Sequence, residues 1–519
     1  MFMTITSFRF LLFIAVSLIV YYVLPKSWQW AQLLVMSLIF YFSAARGYTI
    51  IYLVISALAA YGATMWIDRI RKQGKRDSRL INVLTAAALT VNILLWFVFK
   101  GQDFWSVAIR GAQHFKPSFL PALVDMDLVA SLGMGYYTLQ IMGYILDCAW
   151  ETVEPQKNPL KLFLFVCFFP QLTTGPISQY KQLESLYQEH RFQYGNLAHG
   201  AQRVLWGFFK KLVLAERAGV IVSGITADLT MYNGCYSLIA ILLYPIQMYA
   251  DFSGCMDIVI GVAEMFDIRL AENFHNPFFS RTSQEFWQRW HITLGAWAKD
   301  YVLYPLLKSK IMVKFSKYAR KKWGKAAGKF IATAVGMFVL WMVMGIWHGA
   351  LRFIVGVSLW YWVILMAGEL LAPTFRKITE KLGFQTESFS WHLFQSARTY
   401  VIYAVGATFF SMGIRKGILL LGQAIQALTG KVFNPWIFFD GSILGLGVSW
   451  GDINLIILAV LLLAIVGALR EKYGYARVWM DQQCFLFRWF CWIALFVLVL
   501  VYGKYGPGYN AADFIYQGF

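Results

Sequence analysis

Two histidines stand in sequence that otherwise reads as membrane core. His348 closes the run Gly345-Ile346-Trp347-His348-Gly349-Ala350, and His291 lies in Arg289-Trp290-His291-Ile292-Thr293-Leu294. An ionisable side chain is costly at bilayer depth and persists there with a partner or a task. Imidazole takes and returns a proton near neutral pH, so proton or acyl transfer is the chemistry these positions suggest. His348 ends an apolar stretch, and Gly349 and Ala350 behind it leave room for a substrate. It is the candidate general base, taking a hydroxyl proton while the oxygen attacks an acyl carbonyl. The plainer alternative is a helix-terminal histidine bonded to backbone groups.

His291 sits in denser company, with Glu285, Gln288, Arg289, Trp290, Lys299 and Asp300 close in sequence. With helical geometry, Gln288 and Gly295 share a face with it. Arg289 or Lys299 could hold phosphate, carboxylate or the anionic carrier of a thioester. A structural polar cluster is the alternative. Asp251 and Ser253, in Tyr249-Ala250-Asp251-Phe252-Ser253-Gly254, are buried-polar candidates that could orient a histidine or a substrate hydroxyl, or simply bond one helix to another. Two histidines with no HxxxH or cysteine pair fall short of the three or four ligands usual for zinc, so no metal is expected. No GxSxG, P-loop or GxGxxG in strand context supports a serine elbow or a nucleotide site.

The elements that must position these groups are helices in a bilayer. Of 519 residues, 59% are hydrophobic and 14% charged, against roughly 25% charged in soluble domains. Eleven stretches have the length and apolarity of spans: 8–24, 28–45, 48–66, 80–99, 128–147, 234–265, 330–347, 353–371, 398–414, 453–469 and 489–503. The fold class expected is all-α, one polytopic membrane domain over 1–519. The first apolar run lacks a basic n-region and a cleavage site, so it reads as a retained span. The six cysteines are scattered, mostly in apolar context, and read as small core residues.

The net charge of +19 resides in short loops, which argues for topology and anionic lipid rather than nucleic acid. Residues 69–79 hold six Lys/Arg, 308–329 hold nine and 470–488 hold four. Placing all three in the cytosol puts both termini outside and His348 towards the outer end of its span. Residues 150–225 and 270–307 resist assignment as simple spans. The first contains Phe169-Pro170-Gln171-Leu172-Thr173-Thr174-Gly175-Pro176, a helix-breaking stretch tolerated at membrane depth only under protein cover. The second reads as re-entrant or interfacial, with 201–224 crossing outward between them.

These motifs together resemble the membrane-bound O-acyltransferase (MBOAT) family. The resemblance rests on Phe169-Pro170-Gln171 with Gly175-Pro176-Ile177, Gln202-Arg203 with Trp206-Gly207-Phe208-Phe209-Lys210-Lys211, and Tyr249 to Gly254. It continues through Ala271-Glu272-Asn273-Phe274, Glu285 to Leu294, Asp300-Tyr301-Val302 and Met344 to Gly349, in order over 165–350. The alginate O-acetyltransferase-like and teichoic acid D-alanyltransferase-like branch is the nearest in pattern. The extra length at 372–452 favours the polysaccharide O-acetyl side over D-alanyl transfer to teichoic acid.

The resemblance implies a helical ring around a central pore, with His348 as the principal catalytic histidine and His291 as the second. It implies a cytosolic thioester donor (acetyl-CoA or an acylated carrier protein, used as substrate, with no bound cofactor) and an extracytoplasmic polysaccharide as acceptor. A membrane-tethered partner of SGNH-hydrolase type would relay the acyl group; within the aromatic tail 504–519, residues 509–519 are the candidate docking element, with an ordinary frayed terminus as the alternative. His291, with Arg289 and Lys299, would position the thioester or stabilise its oxyanion. Trp347, Trp290, Asp300, Asp251 and Ser253 complete the expected binding set, in a cell (inner or plasma) membrane enzyme of envelope polysaccharide. The rival from another class is a polysaccharide or lipid transporter or flippase, which the broken segment and intramembrane charges would also suit.

Overall fold

The computed structural model describes residues 3–74, 78–106 and 129–506. The docking element expected at 509–519 falls outside the described residues, as do the first residue of the span expected at 128–147 and part of the basic loop 69–79. The chain is helical, and the only strand-like pairing among the described residues is one antiparallel bridge between Phe274 and Trp290. Helices occupy the described part of each expected stretch, except that in 128–147 the helix begins only at Met134. Among the described residues, eight helices are long and apolar enough to cross a membrane. Phe8–Val23, Gln29–Ala44 and Met134–Ala149 are shorter, at 16 residues each. The expected span 398–414 is part of a longer element, Phe389–Leu428, which is two helices joined at a kink where Gly413 has φ 73°.

Two compact units divide the chain, one built from Met1–Phe208 and Cys255–Glu272, the other from Phe209–Gly254 and Asn273–Lys504.

In the first unit, punctuation explains the helix ends. Ser7 caps Phe8–Val23 by accepting from the Phe10 N–H, and Pro25 forces Leu24 out of helical geometry. Asn158 caps Pro159–Cys167 with proline at the first helical position. Arg71 donates to the carbonyls of Cys148 and Ala149 at 2.7 Å each, so a cation satisfies the C-terminus of Met134–Ala149. The break expected at 169–177 is present and covered, with every residue from 164 to 178 buried. Its freed backbone is answered locally: Ser37 accepts from the Phe169 N–H at 3.1 Å, and the Gly175 N–H donates to the Gln171 carbonyl at 2.9 Å.

A polar cross-brace closes the unit. A Cβ on Gly200 would sit 2.5 Å from the Gly261 carbonyl oxygen, so the two backbones touch there as only glycines allow. One turn further on, Arg203 binds Asp257 at 2.9 Å and Glu272 through two bonds of 2.7 Å.

The second unit holds both histidines of interest. It contains three π-helical segments, Phe209–Ala215, Lys299–Leu303 and Ile354–Leu359. Such turns are rare and gather at functional sites. Four of the six cysteines, Cys148, Cys167, Cys235 and Cys255, are buried, while Cys484 is exposed and Cys491 half-buried.

Candidate functional site

His348 stands where the sequence places it, immediately after the helix Lys325–Trp347. The chain turns there by a close approach of backbone: a Cβ on Gly345 would lie 1.9 Å from Ser358 Oγ and 3.0 Å from the Phe353 carbonyl oxygen. Ser358 in turn donates to the Trp341 carbonyl at 2.8 Å, which pins the π-helical segment Ile354–Leu359 against that helix. The imidazole is 6% exposed and packs on Phe353 and Phe410, with ring centroids 5.3 and 5.6 Å away.

His291 departs from expectation. A continuous helix would have set Gln288 and Gly295 on its face. Instead Ser283–Arg289 ends, Trp290 is extended, and His291 adopts left-handed geometry at φ 46°, ψ 52° before Ile292–Ala298 begins. The cause is a rival partner for the backbone. The His275 N–H donates to the Arg289 carbonyl at 2.9 Å and the Ile292 N–H donates to the Asn273 carbonyl at 3.0 Å. The two bonds flank the Phe274–Trp290 bridge and pull 289–292 out of the helix. A non-glycine residue in this region carries strain, which structures tend to keep where a site needs it.

The ring of His291 is 4% exposed. Its Nδ1 lies 3.1 Å from Asn273 Oδ1, the Phe252 ring meets it edge-on at 5.0 Å, and Trp347 lies 6.2 Å away. Trp347 is also 4.9 Å from the His348 ring, and the two imidazoles are close enough to interact electrostatically. The two histidines, separated by 56 positions in the chain, thus share one buried aromatic enclosure.

Asp251 and Ser253 have lysine partners. Lys211 bridges Asp251 at 2.6 Å and Glu216 at 2.7 Å, while Lys210 donates to Ser253 at 2.8 Å and lies over the Tyr249 ring at 5.6 Å. Both lysines are 3% exposed and belong to the π-helical segment 209–215. This is the helix-to-helix use of Asp251 and Ser253, and the lysines are the residues that no role had been given. Two adjacent cations in the apolar run Phe208-Phe209-Lys210-Lys211-Leu212-Val213 were the available signal. Asn273 was likewise passed over.

Arg289 spends its guanidinium on Glu285 and Glu471, at 2.7 Å each. Trp290 is buried in a ring cluster with Phe274, Phe286, Tyr249 and Tyr403. Lys299 and Asp300 are exposed at the start of the second π-helical segment. Of the expected set, the structure joins His291, Trp347 and His348, joins Asp251 and Ser253 through the lysine pair, and gives Arg289 to a separate carboxylate network.

Residues 81–321 match the family described as MBOAT, membrane-bound O-acyltransferase. His291 falls inside the matched stretch and His348 beyond it. A Pseudomonas syringae pv. tomato protein named probable alginate O-acetylase is 27% identical over 320 residues, 62% of this chain and 56% of that protein. A protein of the same name from Azotobacter vinelandii is 27% identical over 409 residues, 78% of this chain and 77% of its own. The teichoic acid D-alanyltransferase of Bacillus subtilis is 26% identical over 266 residues, 50% of this chain and 62% of that protein. The chain therefore spans little more than half of the first relative and about three quarters of the second.

Proposed function

From a multi-pass membrane chain whose residues 81–321 belong to the membrane-bound O-acyltransferase family, we propose an enzyme that acylates a polysaccharide outside the cell membrane. The group moved is acetyl, supplied from the cytosol as the thioester of coenzyme A or of a carrier protein. Both termini lie outside, as the basic loops direct, and a membrane-tethered SGNH-type partner receives the acyl group there. The observation that carries the reading is the pairing of His291 and His348, two buried imidazoles joined by Trp347.

In this reading His348 is the general base. It takes the proton of the attacking hydroxyl as the acyl carbon–oxygen bond forms and the carbon–sulfur bond breaks, and that proton ends on the departing thiol. His291 lines the same enclosure and positions the reacting groups. The anionic donor is drawn to the cytosolic face by the nine Lys/Arg of 308–329. The Bacillus relative favours D-alanyl as the alternative cargo.

Losing a general base costs about 10²–10⁴-fold in rate. His348→Ala should therefore lose acyl transfer to polymer by that factor while the protein stays folded and membrane-inserted. Envelope polysaccharide from cells carrying this variant would be analysed by mass spectrometry for acyl content, and near-normal acylation would refute the assignment. Purified wild-type protein given labelled acetyl-CoA should release free coenzyme A, whereas binding without release would point to a carrier.

A further inference from the structure

A neighbour without charge fixes where His291 carries its proton. Asn273 Oδ1 accepts from the Thr293 backbone N–H at 3.1 Å and from the Thr293 hydroxyl at 2.9 Å, and faces His291 Nδ1 at 3.1 Å. A backbone N–H can only donate, so the Asn273 atom it meets is the carbonyl oxygen, and the side-chain amide has one allowed orientation. A carbonyl oxygen can only accept, so the nitrogen of His291 that faces it must be protonated.

We propose that Asn273 is a positioning residue that holds His291 with its proton on Nδ1, so that Nε2 meets the reacting groups as a hydrogen-bond acceptor and base. The backbone supports this, because the Ile292 N–H to Asn273 carbonyl bond ties the two residues a second time. Phe252 and Trp347 pack against the ring, 5.0 and 6.2 Å away. The amide is also the right chemical choice for a neutral ring, since a carboxylate in its place would favour the imidazolium. The charged and titratable groups around this ring are His348 beyond Trp347, the Lys211–Asp251 pair beside Phe252, and Arg289 on the preceding turn with its partners Glu285 and, from the helix Trp450–Tyr473, Glu471.

The inference rests on the acyl-transfer reading and alters one expectation within it. A thioester oxygen also accepts hydrogen bonds, so neutral His291 cannot donate to the oxyanion through Nε2. That stabilisation falls to other donors, and His291 takes part as a second base by receiving on Nε2 the hydroxyl proton that His348 has taken and returning it to the departing thiolate.

Two measurements test this. The first needs no turnover. Full-length protein with ¹⁵N-labelled histidine would be examined by NMR near neutral pH, and the signals lost in His291→Gln assigned to His291. The expected result is a protonated Nδ1 and an unprotonated Nε2; the opposite tautomer, or protons on both nitrogens, overturns the proposal while leaving acyl transfer untouched. The second uses Asn273→Asp, which keeps the acceptor for both Thr293 bonds. The carboxylate should raise the acid limb of the kcat–pH profile by about one unit or more, with KM little changed. A profile that overlays wild type overturns the proposal. If wild-type protein shows no acyl transfer at all, the functional reading fails and the NMR result stands on its own.

Discussion

His190 and His291 are both buried imidazoles, one in each unit, and their partners differ by a single atom type. His190 points Nε2 at the Ser185 carbonyl, 2.8 Å away, and Nδ1 at Asp267 Oδ2, 3.2 Å away. Both partners are acceptor oxygens, so the ring is braced on both edges. Asp267 is held in turn by Asn196 at 2.7 Å. His291 has an asparagine where His190 has an aspartate, and its ring faces meet Phe252 and Trp347 instead of a second carbonyl. The difference teaches that burial does not mark a working histidine; the charge of its orienting partner and the chemistry on its other side do.

The largest expected effect separates these two rings by function. His291→Ala should slow acyl transfer by about 10²–10⁴-fold, as loss of a catalytic base does, with a small change in unfolding temperature. His190→Ala should lower stability by about 1–3 kcal/mol, because the Ser185 carbonyl and one Asp267 oxygen lose the ring they face. Its rate per folded molecule should stay near wild type. Single-turnover assays alongside thermal unfolding in detergent check both, and a folded His190→Ala that cannot turn over would break the comparison.

A second contrast concerns how each unit settles its buried charges. In the first, Arg203 is shared between two carboxylates on one side of a glycine crossing. In the second, Lys211 is shared between Asp251 and Glu216 on a π-helical turn beside the aromatic enclosure. Lys211→Met should cost about 3–5 kcal/mol, because it removes the cation 2.6 Å from Asp251, whose side chain is 2% exposed. Adding Asp251→Asn should recover much of that loss, since Glu216 is 20% exposed and can be solvated. Thermal unfolding of the single and double variants decides it; a double variant as unstable as the single would mean that the lysine does more than neutralise Asp251.

Much of this was legible in the sequence for a simple reason. Span-forming helices depend on local apolar length, so 80–99, 330–347 and 453–469 are visible in any window that covers them. His348 was legible because its helix end is local too. What escaped depends on contacts between distant segments. His291 was read on a helix because 283–298 has helical composition, yet the pairing with 273–275 overrides it. Lys210 and Lys211 were visible as adjacent cations, but Ser253 and Asp251, which hold them, come from about forty positions further on. The expected span stopped at 414, where Arg415 and Lys416 end the apolar run, and so missed that the chain kinks at Gly413 and continues as a second helix.

The smallest effect tests how finely the Asn273 arrangement is built. Thr293→Val removes the hydroxyl bond to Asn273 but keeps the backbone N–H that orients the amide. The cost is one neutral hydrogen bond, about 1 kcal/mol, on a side chain of the same branched shape. Acyl transfer should fall by less than tenfold, the kcat–pH profile should stay in place, and Thr293→Ser should restore the wild-type rate. Because the amide remains fixed, the His291 tautomer should not change. A Thr293→Val protein whose pH profile shifts as far as that of Asn273→Asp would show that the hydroxyl, rather than the backbone, determines which nitrogen holds the proton.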